Sequence, residues 1–406
     1  HWTGGNDLHG GKGEWRVEQQ RLRWDILARF AEAATQAGVP ATPDFNGGNN
    51  LGVSQFEVNQ KRGTRWSSAR GFLDPVRKRP NLRIVTGALS DKLVLEGRQA
   101  RGIEFRLGNE ACVARSRIEV VLAAGAVGSP AILQRSGIGD PALLQELGIP
   151  VAHALPGVGR NLQDHLQIRS VYKVQGIKTL NRQANSLWGK AMMALEYAFK
   201  RSGPLTMAPS QLGLFAHSDP SVPTPDLEYH VQPLSLDKFG DPLHKFPAFT
   251  ASVCDLRPQS RGHIDIRDRD PASAPKIAPC YLPHEADRQK AARALRLTRK
   301  IASQPALAPF QPVEYLPGPD FTTDEQLIHA AGNIGTTIFH PVGTCRMGRS
   351  DDDSAVTDSE LRLRGIAGVR VVDASIMPSI TSGNTSSPTI MIAERGAQLI
   401  RAARGR

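Results

Sequence analysis

Apolar residues recur at helical spacing between positions 16 and 37. Leu22, Ile26, Phe30, Ala33 and Ala37 fall on one face, and Gly38 follows as a stop signal, so the spacing predicts an amphipathic helix. Residues 44–52 read as an Asn/Gly loop, and beyond it the period changes to two. Short runs at 82–86, 92–96, 102–107 and 117–123, separated by turn residues, predict strands. Positions 120–124 read Val-Val-Leu-Ala-Ala, apolar throughout, as a strand covered on both faces requires. Alternation returns at 226–231 and 263–266, among prolines that crowd the stretch from 204 to 283, and predicts an antiparallel sheet with one covered face. Helical spacing flanks this sheet at 187–200, 284–303 and 324–330. A long helix over 388–403 closes the chain. The sequence has no internal repeat, no low-complexity tract and no apolar run near the ~18 residues of a membrane span.

The exit from the 120–124 strand carries its own signal. Gly125 and Gly128 lead to Ser129 and Pro130, and a helical run follows. Ser129 suits a helix cap and Pro130 a first turn, where a missing N–H costs nothing. A buried strand feeding through glycines into a helix N-terminus favours close approach of another backbone or of an anion. The pattern fits ligand contact and tight packing equally.

With 406 residues the chain exceeds what one simple core supports, and two lobes are expected. A hydrophobic share of 40% and a charged share of 22% are ordinary for a globular protein. The net charge of +11 comes from arginines scattered along the whole length, without a basic block. That spread argues against nucleic acid as a partner and leaves room for weak attraction to an acidic lipid surface or an acidic electron acceptor. The four cysteines, at 112, 254, 280 and 345, form no Cys-x-x-Cys pair, which excludes a zinc ribbon or a disulfide framework and fits a reducing compartment. No apolar leader opens the chain. A cytoplasmic protein, with peripheral membrane contact left open by its charge, is the expectation.

The chemistry concentrates near the end. His340 precedes the Pro/Gly turn Pro341-Val342-Gly343, and Asn384 lies in a Gly/Ser/Thr loop that opens the last helix. An imidazole titrates near ~6.5 in water and can take a hydroxyl proton around neutral pH. A carboxamide N–H can hold an oxygen on which negative charge develops. Glu228 and His230 point the same way along a predicted strand and are candidates to line a substrate cavity. His165 reads as a structural residue of its turn. Cys345 near His340 lacks the further ligands that a metal site needs, so no metal is expected.

Three stretches together resemble the glucose–methanol–choline oxidoreductases. They are 124–130 with Ser136-Gly137-Ile138-Gly139, then Asn161-Leu162-Gln163-Asp164-His165, and then His340 through Cys345 with Asp373-Ala374-Ser375 and the segment from Asn384 to Glu394. They occur in the family's order and cover most of the chain. The resemblance implies FAD-dependent oxidation of a small-molecule alcohol to a carbonyl, with oxygen, a quinone or a cytochrome as electron acceptor. It implies His340 as general base and Asn384 as its hydrogen-bonding partner. It further implies that Asp373, Ala374, Thr385, Pro388 and Thr389 lie against the flavin, and that Ser90 touches adenine through its backbone. The expected fold is α/β (α+β). A partial FAD-binding, Rossmann-like lobe would be built from 61–165 and 341–406, and an antiparallel-sheet substrate lobe with helices from 166–340, after an N-terminal helix and loop region at 1–60. One departure stands out. No Gly-x-Gly-x-x-Gly follows a strand, and a βαβ unit of at least ~30 residues has no room ahead of residue 1. The resemblance therefore implies a fragment beginning after that fingerprint. Two rival readings follow. The chain is either an inactive remnant acting at most as a scaffold, or a nicotinamide dehydrogenase using residues 125–128 as its phosphate loop.

Overall fold

The computed structural model describes residues 1, 3–208 and 210–405. The chain divides into two compact units. The first comprises residues 1–84, 167–255 and 288–336, and the second residues 85–166, 256–287 and 337–406.

The first unit is built on a mostly antiparallel sheet in the order Gly52–Gln55, Leu212–Ala216, Leu227–Gln232, Ala248–Asp255, Leu166–Lys173 and Val313–Leu316, with Gly335–Thr337 also pairing to Leu166–Lys173. The alternation in the sequence becomes two different faces. Tyr229 pairs with Val253, and its hydroxyl reaches Thr298 and the carbonyl of Ala294, so this face packs on the helix Glu285–Ala302. Glu228, His230, Ser252 and Arg169 occupy the opposite face through the registers Glu228–Cys254, His230–Ser252 and Arg169–Ser252. The helix Asp25–Gln36 buries Ile26, Leu27, Phe30, Ala33 and Ala34, of which Ile26, Phe30 and Ala33 belong to the stripe that the spacing predicts. Phe30 meets Phe249 edge-on, and each aromatic buried in this way contributes about 2–3 kcal/mol. This helix starts at Asp25 rather than 16, because its apolar stripe begins at Ile26 and Trp24 is still extended.

The second unit holds a three-stranded antiparallel sheet, Ala88–Glu96, Gln99–Leu107 and Glu110–Arg115. It also holds a parallel pair in which Val120–Leu122 lies beside Val369–Val371. From Leu122 the chain passes into the helix Gly125–Arg135. This helix begins four residues before the expected cap. Ser129 lies inside it, accepting the N–H of Ala124 at 3.2 Å. The core gathers Leu122, Leu133, Ile138, Val158, Val371 and Ile376 around this βα unit. The last helix, Ser386–Arg404, closes the unit. No helix among the described residues is long and apolar enough to cross a membrane.

Candidate active site

His340 owes its position to two turns of the second unit. Its backbone N–H donates to Oδ1 of Asp164 at 2.9 Å. Gln163 and Val342 then exchange backbone hydrogen bonds of 3.1 and 2.9 Å. Further on, the N–H groups of Gly343, Cys345 and Met347 donate to the carbonyls of Ala374, Ser375 and Ile376 at 3.3, 2.8 and 2.8 Å. The segment after His340 is thus a strap pinned between the 161–165 turn and the 374–376 turn. Glycine is required at 343. Its φ is +91°, and a Cβ there would stand 2.5 Å from the carbonyl oxygen of Asn161. The Oδ2 atom of Asp164 accepts the hydroxyls of Tyr281 and Thr337, so one buried carboxylate collects three donors around His340.

The same 161–165 turn places Asn384. Buried Gln163 donates to the carbonyl of Pro378 and accepts the N–H of Ile380, both at 3.1 Å. Asn161 donates to the carbonyls of Pro378 and Gly343 at 3.2 and 3.3 Å. Arg257 donates to Ser382 at 3.1 Å. The loop so held brings Nδ2 of Asn384 to 3.4 Å from Nε2 of His340. The imidazole is 8% exposed and Asn384 is exposed, so Nε2 looks outward. On its inner side, Nδ1 of His340 lies 3.0 Å from Nδ1 of the fully buried His165, with the two rings at 84°.

The residues expected along a flavin are distributed over the same unit. Asp373 spends its carboxylate inside the protein. Oδ2 takes the N–H of Gly125 at 2.9 Å and the hydroxyl of Ser129 at 2.6 Å, and Oδ1 takes the N–H of Ser375 at 2.8 Å. It ties the 374–376 turn to the start of the helix Gly125–Arg135, and Thr344 adds a second tie through its hydroxyl to the carbonyl of Ala126 at 2.6 Å. Ala374 is half-buried beside it and offers backbone groups only. Thr385 is the N-cap residue of Ser386–Arg404, yet its side chain does not cap that helix. Thr389 turns its hydroxyl back to the carbonyl of Thr385 at 2.7 Å, and Pro388 has no N–H to give. The first turn thus presents backbone donors and the positive end of the helix dipole. Ser90 lies in the strand Ala88–Glu96, and its carbonyl accepts from Arg135 at the far end of the helix Gly125–Arg135, about 15 Å from the end held by Asp373.

This donor set fits a flavin. The uncapped helix end beside His340 suits the electron-rich pyrimidine carbonyls, and the ~15 Å from the Asp373-held end of Gly125–Arg135 to Ser90 suits an extended dinucleotide. Burial, with the Asp373 carboxylate as the next cause, pushes the Cys345 thiol well above its ordinary range, so it stays protonated under the strap. In the first unit, Glu228 and His230 stand 3.3 Å apart, both buried.

The structure brings His340 and Asn384 within 3.4 Å of each other, and the residues that position them carry no role in the sequence reading. Asp164 and Gln163 lie in the 161–165 turn with no role that the sequence discloses, and Tyr281 and Arg257 carry no local signal. Their partners are on the order of 100 residues or more away, beyond any local pattern.

An imidazole and a carboxamide converging beside an open helix N-terminus, on a βα unit, point to the class: a flavin-dependent oxidoreductase acting on alcohols. The chain belongs to the GMC oxidoreductase family, with FAD as cofactor. The family's N-terminal model matches residues 14–167 and its C-terminal model residues 258–393. It is similar to the oxygen-dependent choline dehydrogenase of Stenotrophomonas maltophilia, 39% identical over 98% of this chain and 71% of that protein. Its likeness to the choline dehydrogenase of Escherichia coli is 40%, over 98% of this chain and 72% of that one. Pyridoxine 4-oxidase from Mesorbium loti superposes with a TM-score of 0.84 at 29% identity, covering 96% of this chain and 72% of that chain. An FAD-dependent oxidoreductase from Chaetomium thermophilum superposes with a TM-score of 0.87 at 25% identity, covering 98% and 76%.

Proposed function

We propose that the protein oxidises a small primary alcohol of the choline type to a carbonyl compound, with His340 as proton acceptor, Asn384 as donor to the substrate oxygen and oxygen as final electron acceptor. The observation that carries this reading is the 3.4 Å approach of Nδ2 of Asn384 to Nε2 of His340. One hydroxyl oxygen lodged there gives its proton to Nε2 and receives an N–H from the carboxamide. The negative charge growing on that oxygen is met by a donor already aimed at it. The chemistry that bound FAD would supply is a hydride acceptor for the carbinol carbon. The first turn of Ser386–Arg404, with Thr385, Pro388 and Thr389, would hold the pyrimidine side. The Asp373–Ala374 turn and the backbone of Ser90 would hold the remainder. The second unit then serves as the cofactor-holding body.

The relatives named choline dehydrogenases, 39–41% identical across 98% of this chain, support choline as the first substrate to try. The test is anaerobic mixing of FAD-loaded protein with choline and with a short series of primary alcohols. Bleaching of the oxidised-flavin band with one carbonyl product per flavin is expected. A protein that holds FAD but is bleached by none of these alcohols contradicts the proposal.

A further inference from the structure

Two neutral imidazoles whose Nδ1 atoms lie 3.0 Å apart, as those of His165 and His340 do, must share one proton between those atoms. One Nδ1 donates and the other accepts. The far side of His340 decides which. Its Nε2 faces the carboxamide nitrogen of Asn384, a donor, at 3.4 Å. Nε2 is therefore the lone-pair nitrogen, the proton of His340 sits on Nδ1, and Nδ1 of His165 accepts it. His165 then carries its own proton on Nε2. We propose that His165 is a positioning residue that holds His340 in the tautomer whose Nε2 is bare, the only neutral form able to take a proton from an alcohol at that atom. The proposal rests on the reading of His340 as the proton acceptor.

The geometry supports a fixed pairing rather than a chance contact. Both rings hang from one tied segment. The carbonyl of His165 accepts the N–H of Ile338 at 3.3 Å, and the neighbouring Asp164 carboxylate accepts the N–H of His340 at 2.9 Å. His165 is fully buried, so water cannot substitute as acceptor. The rings meet edge to face at 84°, which aims one nitrogen at the other without stacking. The opposite tautomer of His340 would turn a proton toward the Asn384 N–H, two donors facing each other, and would need His165 to donate from Nδ1 instead. The arrangement also needs no re-pairing during the reaction. When Nε2 gains a proton the ring becomes a cation, and its Nδ1–H continues to donate to His165, now as a stronger charge-assisted bond. Which ring nitrogen of a histidine acts is set by the hydrogen bond that the other one makes.

The direct experiment is nitrogen NMR of the FAD-loaded protein with 15N-labelled histidine, on wild type, His165→Leu and His165→Asn. In wild type, His340 is expected to show a protonated Nδ1 and an unprotonated Nε2. The leucine variant removes the acceptor, so the proton of His340 redistributes toward Nε2. Its anaerobic reduction rate falls by at least ~100-fold with KM little changed, since a wrong tautomer is costly. Asparagine offers an acceptor oxygen near the lost Nδ1 and restores most of both signatures. A merely structural role would predict loss in both variants, with the tautomer unmoved. A wild-type spectrum with the His340 proton on Nε2 overturns the proposal without any variant, as does a folded, FAD-loaded leucine variant that keeps the wild-type pattern. If the tautomer shifts as expected while His340→Ala is still reduced normally, the reading of His340 as proton acceptor fails and only the assignment of the proton between His165 and His340 stands.

Discussion

The carboxamide of Asn384 meets the imidazole of His340 at 3.4 Å across 44 positions of sequence, because Gln163 braces the loop of one and Asp164 the backbone of the other. If the amide donates to the reacting oxygen, its removal weakens the transition state far more than the ground state. Asn384→Ala should lower the rate of flavin reduction by about 100- to 1,000-fold with a small change in KM. Stopped-flow reduction under anaerobic conditions measures both. A pure KM effect would mean that Asn384 only helps binding.

Asp373 is a structural keystone on this account, since its buried carboxylate accepts three hydrogen bonds from Gly125, Ser129 and Ser375. Asp373→Ala strands all three donors and should cost about 3–5 kcal/mol, read as a lower denaturant midpoint and weakened FAD retention. Asp373→Asn keeps an acceptor oxygen and should cost less. Equal stability of the alanine variant and wild type would show that the turn is held in another way.

Gly343→Ala places a methyl group 2.5 Å from the Asn161 carbonyl oxygen at a φ of +91°. The strap that carries His340 would have to move. A loss of about 2 kcal/mol or more is expected, seen as a drop of several degrees in Tm, together with reduced turnover. Gly97→Ala is the control. That site also has positive φ (59°) but nothing within 4 Å of the added Cβ, so only the backbone strain remains.

The thiols should divide by burial. Cys280 is exposed and Cys112 half-buried, whereas Cys254 and Cys345 are buried. Burial raises the pKa of Cys345, so the thiol stays neutral through pH 7–9 and the reactive thiolate is not formed. A thiol-reactive disulfide reagent at pH 8 should modify at most two cysteines in the native protein and all four after denaturation, counted by the chromophore released. Modification of Cys345 in the native state would show that the strap opens readily.

Much of the fold was legible where one period runs long enough to be read. The helix expected at 187–200 is Leu187–Lys200, and that at 284–303 is Glu285–Ala302. The strand at 226–231 is Leu227–Gln232. Reading failed where a distant contact overrides local chemistry. Ser129 and Pro130 look like a helix start, yet the helix begins at Gly125, whose N–H is satisfied by Asp373, 248 positions away. The strand expected at 82–86 does not form, and the one expected at 92–96 starts earlier, at Ala88, where its pairing with Gln99–Leu107 begins. In the site, the His340–Asn384 pair could be foreseen from two turn motifs. The Nδ1 contact with His165, 175 positions distant, left no trace in spacing.

The most direct test of the central claim is the rate of anaerobic flavin reduction by the best alcohol substrate in His340→Ala, with FAD content and circular dichroism matched to wild type. The account predicts a fall of about 100- to 10,000-fold, the usual worth of a general base. Reduction at a near-normal rate would contradict it and move the proton acceptor to another residue.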